Sequence, residues 1–140
     1  MRVIAAVRND TEFDKAVKSG VEIIFDLAPC ILDIEEKIKV THNMCKKLFI
    51  HIDLAEGIGK DRSGIEFVKR LGVDGIISTR VNIIKLARES GLMTVQRFFI
   101  VDSRSVETTV EGIKASKPDM IEIMPGTVFK AVSYTHLNGL

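Results

Sequence analysis

The sequence predicts a parallel α/β fold. Short apolar runs rich in branched residues alternate six times with longer segments of helical apolar spacing. This alternation is typical of parallel strands joined by crossover helices. The units recur at roughly 25 residues, a spacing that fits either an open doubly wound sheet or a closed (β/α)8 barrel. Composition does not choose between the two.

Each element is justified by its own pattern. The predicted strands are apolar runs at residues 3–7, 22–27, 48–54, 75–79, 94–100 and 120–124. The segments between them place apolar residues three or four positions apart, as in Val106, Val110 and Ile113, which predicts one buried stripe on each helix. The predicted helices cover about residues 11–19, 32–45, 63–71, 82–90 and 103–116.

Polar residues and glycines mark the ends of these helices. A side-chain oxygen at a helix start accepts a hydrogen bond from a free backbone amide, and glycine readily adopts the left-handed conformation that ends a helix. The predicted N-caps are Thr11, Asn82 and Ser103, and the predicted terminating glycines are Gly20, Gly72 and Gly91.

Composition and charge limit the class of protein. Hydrophobic residues make up 46% and charged residues 28% of the 140 residues, a balance typical of a globular domain and not of a disordered chain. The net charge of +1 provides no global field for nucleic acid, so RNA contact would need a local patch. The first apolar stretch is too short for a signal sequence or a membrane span, which predicts a cytoplasmic location. Cys30 and Cys45 form no metal or redox pattern, so no cofactor is expected.

Charged residues near the strand ends indicate a ligand site. Alternate side chains of a strand share a face, so Asp53 is predicted to share a face with His51. In the same way, Glu122 is predicted to lie on the face opposite Ile121 and Ile123. If the apolar faces pack on helices, these carboxylates point inward at the carboxyl ends of the strands, where barrel proteins bind ligands. Arg97 is the expected counter-charge. The alternative is that Asp53, Arg97 and Glu122 form a purely structural ion-pair network.

Four blocks of sequence carry a family resemblance. They are HIDLAEG with KD at residues 51–57 and 60–61, DGIISTR at 74–80, QRFF with DS at 96–99 and 102–103, and KPDMIEIMPG at 117–126. Any single block would be weak, but the four occur in order and at matching spacing. From about residue 1 to about residue 132, the chain resembles the glycerol uptake operon antiterminator regulatory proteins.

The resemblance implies an incomplete (β/α)8 TIM-like barrel with about six βα units. It also implies a regulator, not an enzyme, that senses glycerol 3-phosphate and acts on the leader mRNA of glycerol-utilisation operons so that polymerase reads through a terminator. Carboxylates suit the hydroxyls of such an effector, arginine suits its phosphate, and glycines allow close backbone approach. The residues implied to bind it are Asp53, Glu56, Gly57, Ser78, Thr79, Arg97, Glu122, Pro125 and Gly126.

Other interpretations use the same residues differently. A TIM-barrel enzyme acting on a small phosphorylated sugar or glycerol phosphate would need a lysine or a metal cluster at the strand ends, whereas most lysines fall in predicted helices. A metal site from Asp53, Glu56 and Glu122, or a pure interaction module, are further alternatives. The best local basic patch for RNA contains Lys39, His42, Lys46 and Lys47, and an ordinary solvated helix face would explain it equally well.

The last eight residues match none of the family pattern. We therefore expect a barrel domain at residues 1–132 and a non-family tail at residues 133–140, with the family pattern cut short. Six strands do not close an eight-stranded barrel, so strands one and six are expected to carry open edges that favour homo-oligomers.

Deletion of residues 133–140 is expected to lower the free energy of unfolding by less than about 1 kcal/mol, because this segment has a single aromatic residue and no apolar stripe. Denaturant midpoints of the full and shortened chains measure the difference. A larger loss would show that the tail packs on the core.

Overall fold

The computed structural model describes residues 3–124 and 130–133, and its sheet follows the order of the chain. Neighbouring strands β1 to β6 are all parallel, and each crossover joins adjacent strands. The strands are β1 (Ile4–Val7), β2 (Ile23–Asp26), β3 (Lys47–His51), β4 (Gly75–Ser78), β5 (Met93–Phe99) and β6 (Met120–Met124). This arrangement confirms the incomplete (β/α)8 barrel.

Within the described residues, five α-helices connect these strands. They are α1 (Asp10–Lys18), α2 (Ile34–Asn43), α3 (Arg62–Leu71), α4 (Val81–Glu89) and α5 (Ser103–Ser116). Their apolar residues pack on the outward side chains of the strands, so that Ile24, Ile50 and Ile76 belong to one core cluster with Ile38 and Ile65. The outer core therefore lies between the sheet and the helices.

A second core cluster fills the inside of the barrel. It contains Phe25 and Phe49, whose rings stack with centroids 5.4 Å apart, together with Ile77 and Val95. A Cβ at Gly75 would lie 2.6 Å from the Phe49 ring, so β4 begins with a glycine because this ring occupies the space. The alternation of inner and outer residues along each strand defines which side chains can reach the barrel interior.

Strand β3 is shorter than the sequence predicts. It ends at His51, and Ile52–Leu54 forms a 3-10 turn. The predicted strand at residues 48–54 is therefore wrong in its last three residues, and strand parity does not place Asp53. The turn is held by the Asp53 carboxylate, which accepts a hydrogen bond from the backbone amide of Thr79 beyond the next strand.

Several helix ends also differ from the sequence-based prediction. The N-caps are Asn9, Arg80 and Asp102 in place of Thr11, Asn82 and Ser103. Asn9 and Asp102 are the N-caps because their side chains accept hydrogen bonds from the backbone amides three residues ahead, at 2.8 Å in both cases. Gly72 and Gly91 have the predicted positive φ, of 106° and 85°. Gly20 does not have a positive φ, because α1 already ends at Lys18. Its C-cap is Ser19, whose hydroxyl donates to the carbonyl of Ala16.

Helix α5 lacks the buried apolar stripe that its sequence predicts. Val106 and Val110 are 45% and 44% exposed, whereas Thr109 and Ser116 are buried. The hydroxyl of Ser116 donates to the side chain of Gln96 on β5, so polar contacts fix this helix to the sheet.

The expected open edge of strand six is also absent. A seventh strand, β7 (Lys130–Ser133), pairs antiparallel with β6 and joins Glu122 to Ala131 in register. The backbone groups of β6 are therefore paired on both sides. The homo-oligomer inferred from open edges stays a prediction.

Replacement of Gly64 by alanine is expected to lower the free energy of unfolding by about 1–3 kcal/mol. A Cβ at Gly64 would lie 1.7 Å from the carbonyl oxygen of Gly59, so backbone at the start of α3 would have to move. Urea denaturation measures the loss. The matched control is Gly20→Ala, where no heavy atom lies within 4 Å of the new Cβ. If both substitutions have the same effect, the close approach of Gly59 and Gly64 does not constrain the fold.

Candidate functional site

The carboxyl ends of β3 to β6 meet at one end of the barrel, which we call the mouth. Register places Arg97 beside Glu122, and each shares a strand face with a residue of the inner core two positions earlier, namely Val95 and Met120. The inward placement of Arg97 and Glu122 agrees with the strand parity read from the sequence. His51 shares the inner side of β3 with Phe49.

The ion pair between Arg97 and Glu122 is the central contact of the mouth. The Nε of Arg97 lies 2.7 Å from Oε2 of Glu122, and the two side chains are 10% and 0% exposed. Burial raises the pKa of Glu122, and the hydrogen bond and charge of Arg97 offset part of that rise. The second oxygen, Oε1, has no hydrogen-bond partner among residues 3–124. Glu122 therefore presents a buried acceptor that a ligand hydroxyl could satisfy.

The carboxylate of Asp53 is held by three donors from the end of β4. It accepts hydrogen bonds from the Ser78 hydroxyl at 2.8 Å, the Thr79 amide at 2.8 Å and the Thr79 hydroxyl at 3.1 Å. Ser78 is fully buried, and its hydroxyl oxygen also accepts from the amide of Arg80 at 3.0 Å. This network fixes the rim of the mouth across β3 and β4.

His51 lies under the mouth and is 3% exposed. Burial lowers its pKa, the positive charge of Arg97 lowers it further, and the negative charge of Asp53 acts in the opposite direction. Its Nδ1 is buried without a hydrogen-bond partner in the described part of the chain. The ring is therefore a second inward polar group, and its neutral form is favoured at neutral pH.

A groove of about 370 Å³ opens beside Arg97, between the end of β5 and the start of α5. Arg104, Ser105, Thr108 and Thr79 contribute to its lining. The sequence analysis missed Arg104, Ser105 and Thr108. Their position in the first turns of the helix that follows a ligand-bearing strand is the signal that could have identified them.

Glu56 and Gly57 do not join this cluster. The amide and carbonyl of Glu56 bond to Pro29 and Ile31 at 2.9 Å each, which ties the loop after β3 to the loop after β2. Gly57 has φ 76°, and a Cβ there would lie 2.5 Å from a methyl group of Ile31. Both residues therefore have a structural explanation. Pro125 and Gly126 lie outside the described residues.

The basic patch predicted on α2 is largely engaged in internal contacts. The Nε2 of His42 lies 2.8 Å from Asp74, and Lys46 donates to two backbone carbonyls at 2.8 Å each. Lys39 lies 3.6 Å from Glu35. The patch is at the end of the barrel opposite the mouth, and its contacts favour a structural role for His42 and Lys46.

Among residues 3–124, no group of three or more His, Cys, Asp or Glu side chains is arranged to hold a metal ion, so Asp53, Glu56 and Glu122 do not form the metal site considered above. In the portion of the chain that the structure describes, no helix combines the length and the apolar character needed to cross a membrane.

Comparison with known proteins adds the family context. A family model described as Glycerol-3-phosphate responsive antiterminator matches residues 3–138. The match includes most of residues 133–140, and their assignment to a separate tail stays a prediction. The Uncharacterized protein YgcP of Escherichia coli (strain K12) is 38% identical over 133 residues, which cover 94% of this chain and 70% of that protein.

Two solved structures resemble the chain closely. The glycerol uptake operon antiterminator regulatory protein from Listeria monocytogenes str. 4b F2365 superposes with a TM-score of 0.82 and 29% identity, over 91% of this chain and 70% of that one. A glycerol uptake operon antiterminator-related protein from Thermotoga maritima MSB8 superposes with a TM-score of 0.80 and 31% identity, over 91% and 72% of the two chains.

Replacement of Glu122 by glutamine is expected to change how stability depends on pH. Because burial raises the pKa of Glu122, the folded chain holds this proton to a higher pH than the unfolded chain does. The stability associated with the protonated group is lost as the pH rises through the raised pKa. Glutamine does not titrate, so the variant should gain stability relative to the wild type as the pH rises above about 4, the ordinary pKa of glutamate.

Urea denaturation at several pH values measures this difference. Glu107→Gln, at an exposed position of α5, is the matched control for the substitution itself. A difference between the Glu122 variant and the wild type that stays constant with pH would contradict the assignment of a raised pKa.

Proposed function

Because the chain belongs to the glycerol-3-phosphate responsive antiterminator family, we propose that it binds glycerol 3-phosphate at the barrel mouth and then acts on the leader mRNA of glycerol-utilisation operons. The residues proposed to contact or position the effector are Asp53, Ser78, Thr79, Arg97 and Glu122. The observation that carries the proposal is a buried arginine, held by a buried glutamate, facing a groove at the carboxyl ends of parallel strands.

Arg97 suits the phosphate of the effector. Its Nε is the nitrogen that pairs with Glu122, and the described residues make no hydrogen bond to its two terminal nitrogens. Those nitrogens form the fork that pairs with two phosphate oxygens. Arg104 adds a second positive charge to the same groove, and the hydroxyls of Thr79 and Thr108 add donors. The carboxylate of Asp102 also lines the groove and accepts hydrogen bonds from Ser105, so a phosphate would meet two cations, one carboxylate and several hydroxyl groups.

The glycerol part of the effector suits two buried polar atoms of the mouth. Oε1 of Glu122 and Nδ1 of His51 both lack a partner among residues 3–124. A buried polar atom without a partner is costly, and a hydroxyl group can donate to either of these two. We propose that they accept hydrogen bonds from the free hydroxyls of glycerol 3-phosphate.

A regulatory role accounts for the state of the mouth better than a catalytic one. The two carboxylates there are engaged by neighbouring groups, Asp53 by Ser78 and Thr79, and Glu122 by Arg97. Such mutual pairing positions groups for recognition, and the enzyme alternative is not favoured because the family is one of antiterminators. An antiterminator acts on transcripts as they are made, so we propose that the protein works in the cytoplasm.

Replacement of Arg97 by alanine is expected to weaken binding of glycerol 3-phosphate by about 1.5 to 3 kcal/mol, the range for charge-assisted hydrogen bonds. Isothermal titration calorimetry measures the change. Arg97→Lys keeps a charge beside Glu122 but loses the fork, so it should weaken binding while protecting the fold. Arg70→Ala, an exposed arginine on α3, is the matched control.

A thermal-shift series tests the effector itself. Glycerol 3-phosphate should raise the melting temperature more than glycerol or inorganic phosphate does, because only the complete molecule reaches both Arg97 and the buried acceptors. If the Arg97 variants bind glycerol 3-phosphate with unchanged affinity, Arg97 has only a structural role in the ion-pair network. Equal effects of all three compounds would contradict the proposed effector.

A further inference from the structure

The chain is almost neutral, but exposed cations recur at the carboxyl ends of its helices. In a parallel β/α barrel the helices run opposite to the strands, so all helices end at the face where the strands begin, which we call the basal face. Acidic residues occupy the first turns of α1 and α2, at the mouth end. Exposed cations occupy the last turns or C-caps, namely Lys15, Lys18, Lys69, Arg70, Arg88, Lys114 and Lys117.

Favourable interaction with helix carbonyls explains one cation at each helix end. It does not explain the cluster between α4 and α5, where a groove of about 270 Å³ lies. Lys85, Arg88, Ala115 and Ser116 line it together with Glu89. The neighbours of Ala115 and Ser116 in sequence are two further exposed cations, Lys114 and Lys117.

The cations of this groove are not compensated. Over residues 3–124, no carboxylate lies within 4.0 Å of the side-chain nitrogens of Lys85, Arg88, Lys114 or Lys117. Glu89, the acidic residue of the lining, pairs with Arg62 on α3 at 3.5 Å. Elsewhere on the basal face Arg70 lies 3.8 Å from Glu66, whereas Lys15, Lys18 and Lys69 make no ion pair among residues 3–124. At the α4–α5 groove, two cations without an ion pair, Lys85 and Arg88, line one cavity, and two more, Lys114 and Lys117, adjoin its lining residues in sequence.

We propose that the α4–α5 groove is the surface on which RNA docks through its phosphates. The inference rests on the proposed function, which supplies RNA as the partner, and the structure contributes the location. Phosphate contacts by Lys and Arg supply most of the sequence-independent affinity for nucleic acid. Lys117, next to the groove residue Ser116, has φ 51°, and its backbone amide donates to the carbonyl of Ile113 at 2.8 Å, so the backbone at the end of α5 is held in place.

Helix α5 connects this groove to the effector site. Arg104 and Ser105 in its first turn line the mouth groove, and Ala115 and Ser116 at its end line the α4–α5 groove. Ser116 also bonds to Gln96, the residue next to Arg97 on β5. The effector and the RNA are thereby placed at the two ends of one helix.

Charge reversal tests the location of the RNA surface. The probe is a fluorescently labelled leader RNA of a glycerol-utilisation operon, titrated with the full chain in saturating glycerol 3-phosphate. Arg88→Glu and Lys114→Glu should each raise the Kd at least about tenfold and reduce the slope of log K against log salt by about one. Lys60→Glu, an equal change of charge in the loop after β3, should leave the Kd within about twofold of the wild type.

The thermal shift with glycerol 3-phosphate shows whether each variant remains folded, and Arg88→Gln replaces Arg88→Glu if the reversal disturbs α4. Wild-type binding to RNA with no loss in the groove variants, or an equal loss in Lys60→Glu, would overturn the groove and leave the proposed function standing. Failure of the wild type to bind the RNA, with effector binding intact, would overturn the RNA part of the proposed function and this inference with it.

Discussion

The buried pair of Arg97 and Glu122 determines the chemistry of the mouth. Neither charge is stable alone at that depth, since removal of one partner from a buried ion pair typically costs about 3–5 kcal/mol. The pair therefore holds the guanidinium in one place before any ligand arrives, and this pre-organisation reduces the entropy that binding would otherwise lose. Burial lowers the pKa of His51, and the positive charge of Arg97 lowers it further. A single contact thus sets the position of the anion-binding group, and the same guanidinium contributes to the lowered pKa of its neighbour.

A second cluster of charged side chains, around Lys37, has a purely structural role. Lys37 lies 3.5 Å from Asp10 and 3.7 Å from both Asp26 and Asp33, with its ammonium over the ring of Phe13. Asp26 is on the outer side of β2, where burial raises its pKa, and it also accepts from the amide of Ala28. This cluster joins β2 to α1 and α2, whereas the pair in the mouth faces an open groove.

The sequence predicts the parts of the structure that depend on local pattern. Alternation along β5 and β6 places Arg97 and Glu122 inward, because the outer faces of the strands pack on helices and these two side chains lie on the opposite face. The sequence does not predict the turn at Asp53, because this carboxylate is held by the amide of Thr79, which follows another strand. The backbone bonds of Glu56 to a neighbouring loop are likewise not predicted by the sequence, and the contact of Glu56 with the effector stays a prediction. Contacts between units, unlike periodicity within a unit, leave little trace in one sequence.

The polar anchoring of α5 has a mechanical consequence. A helix of 14 residues is about 21 Å long at 1.5 Å per residue, and it is stiff over that length. With Val106 and Val110 exposed, the middle of the helix is not locked by an apolar stripe. A tilt of about 5° at one end would displace the other end by about 2 Å, enough to make or break a cation–phosphate contact. The contact of Ser116 with Gln96, and not an apolar interface, would therefore set how easily the helix tilts on the sheet.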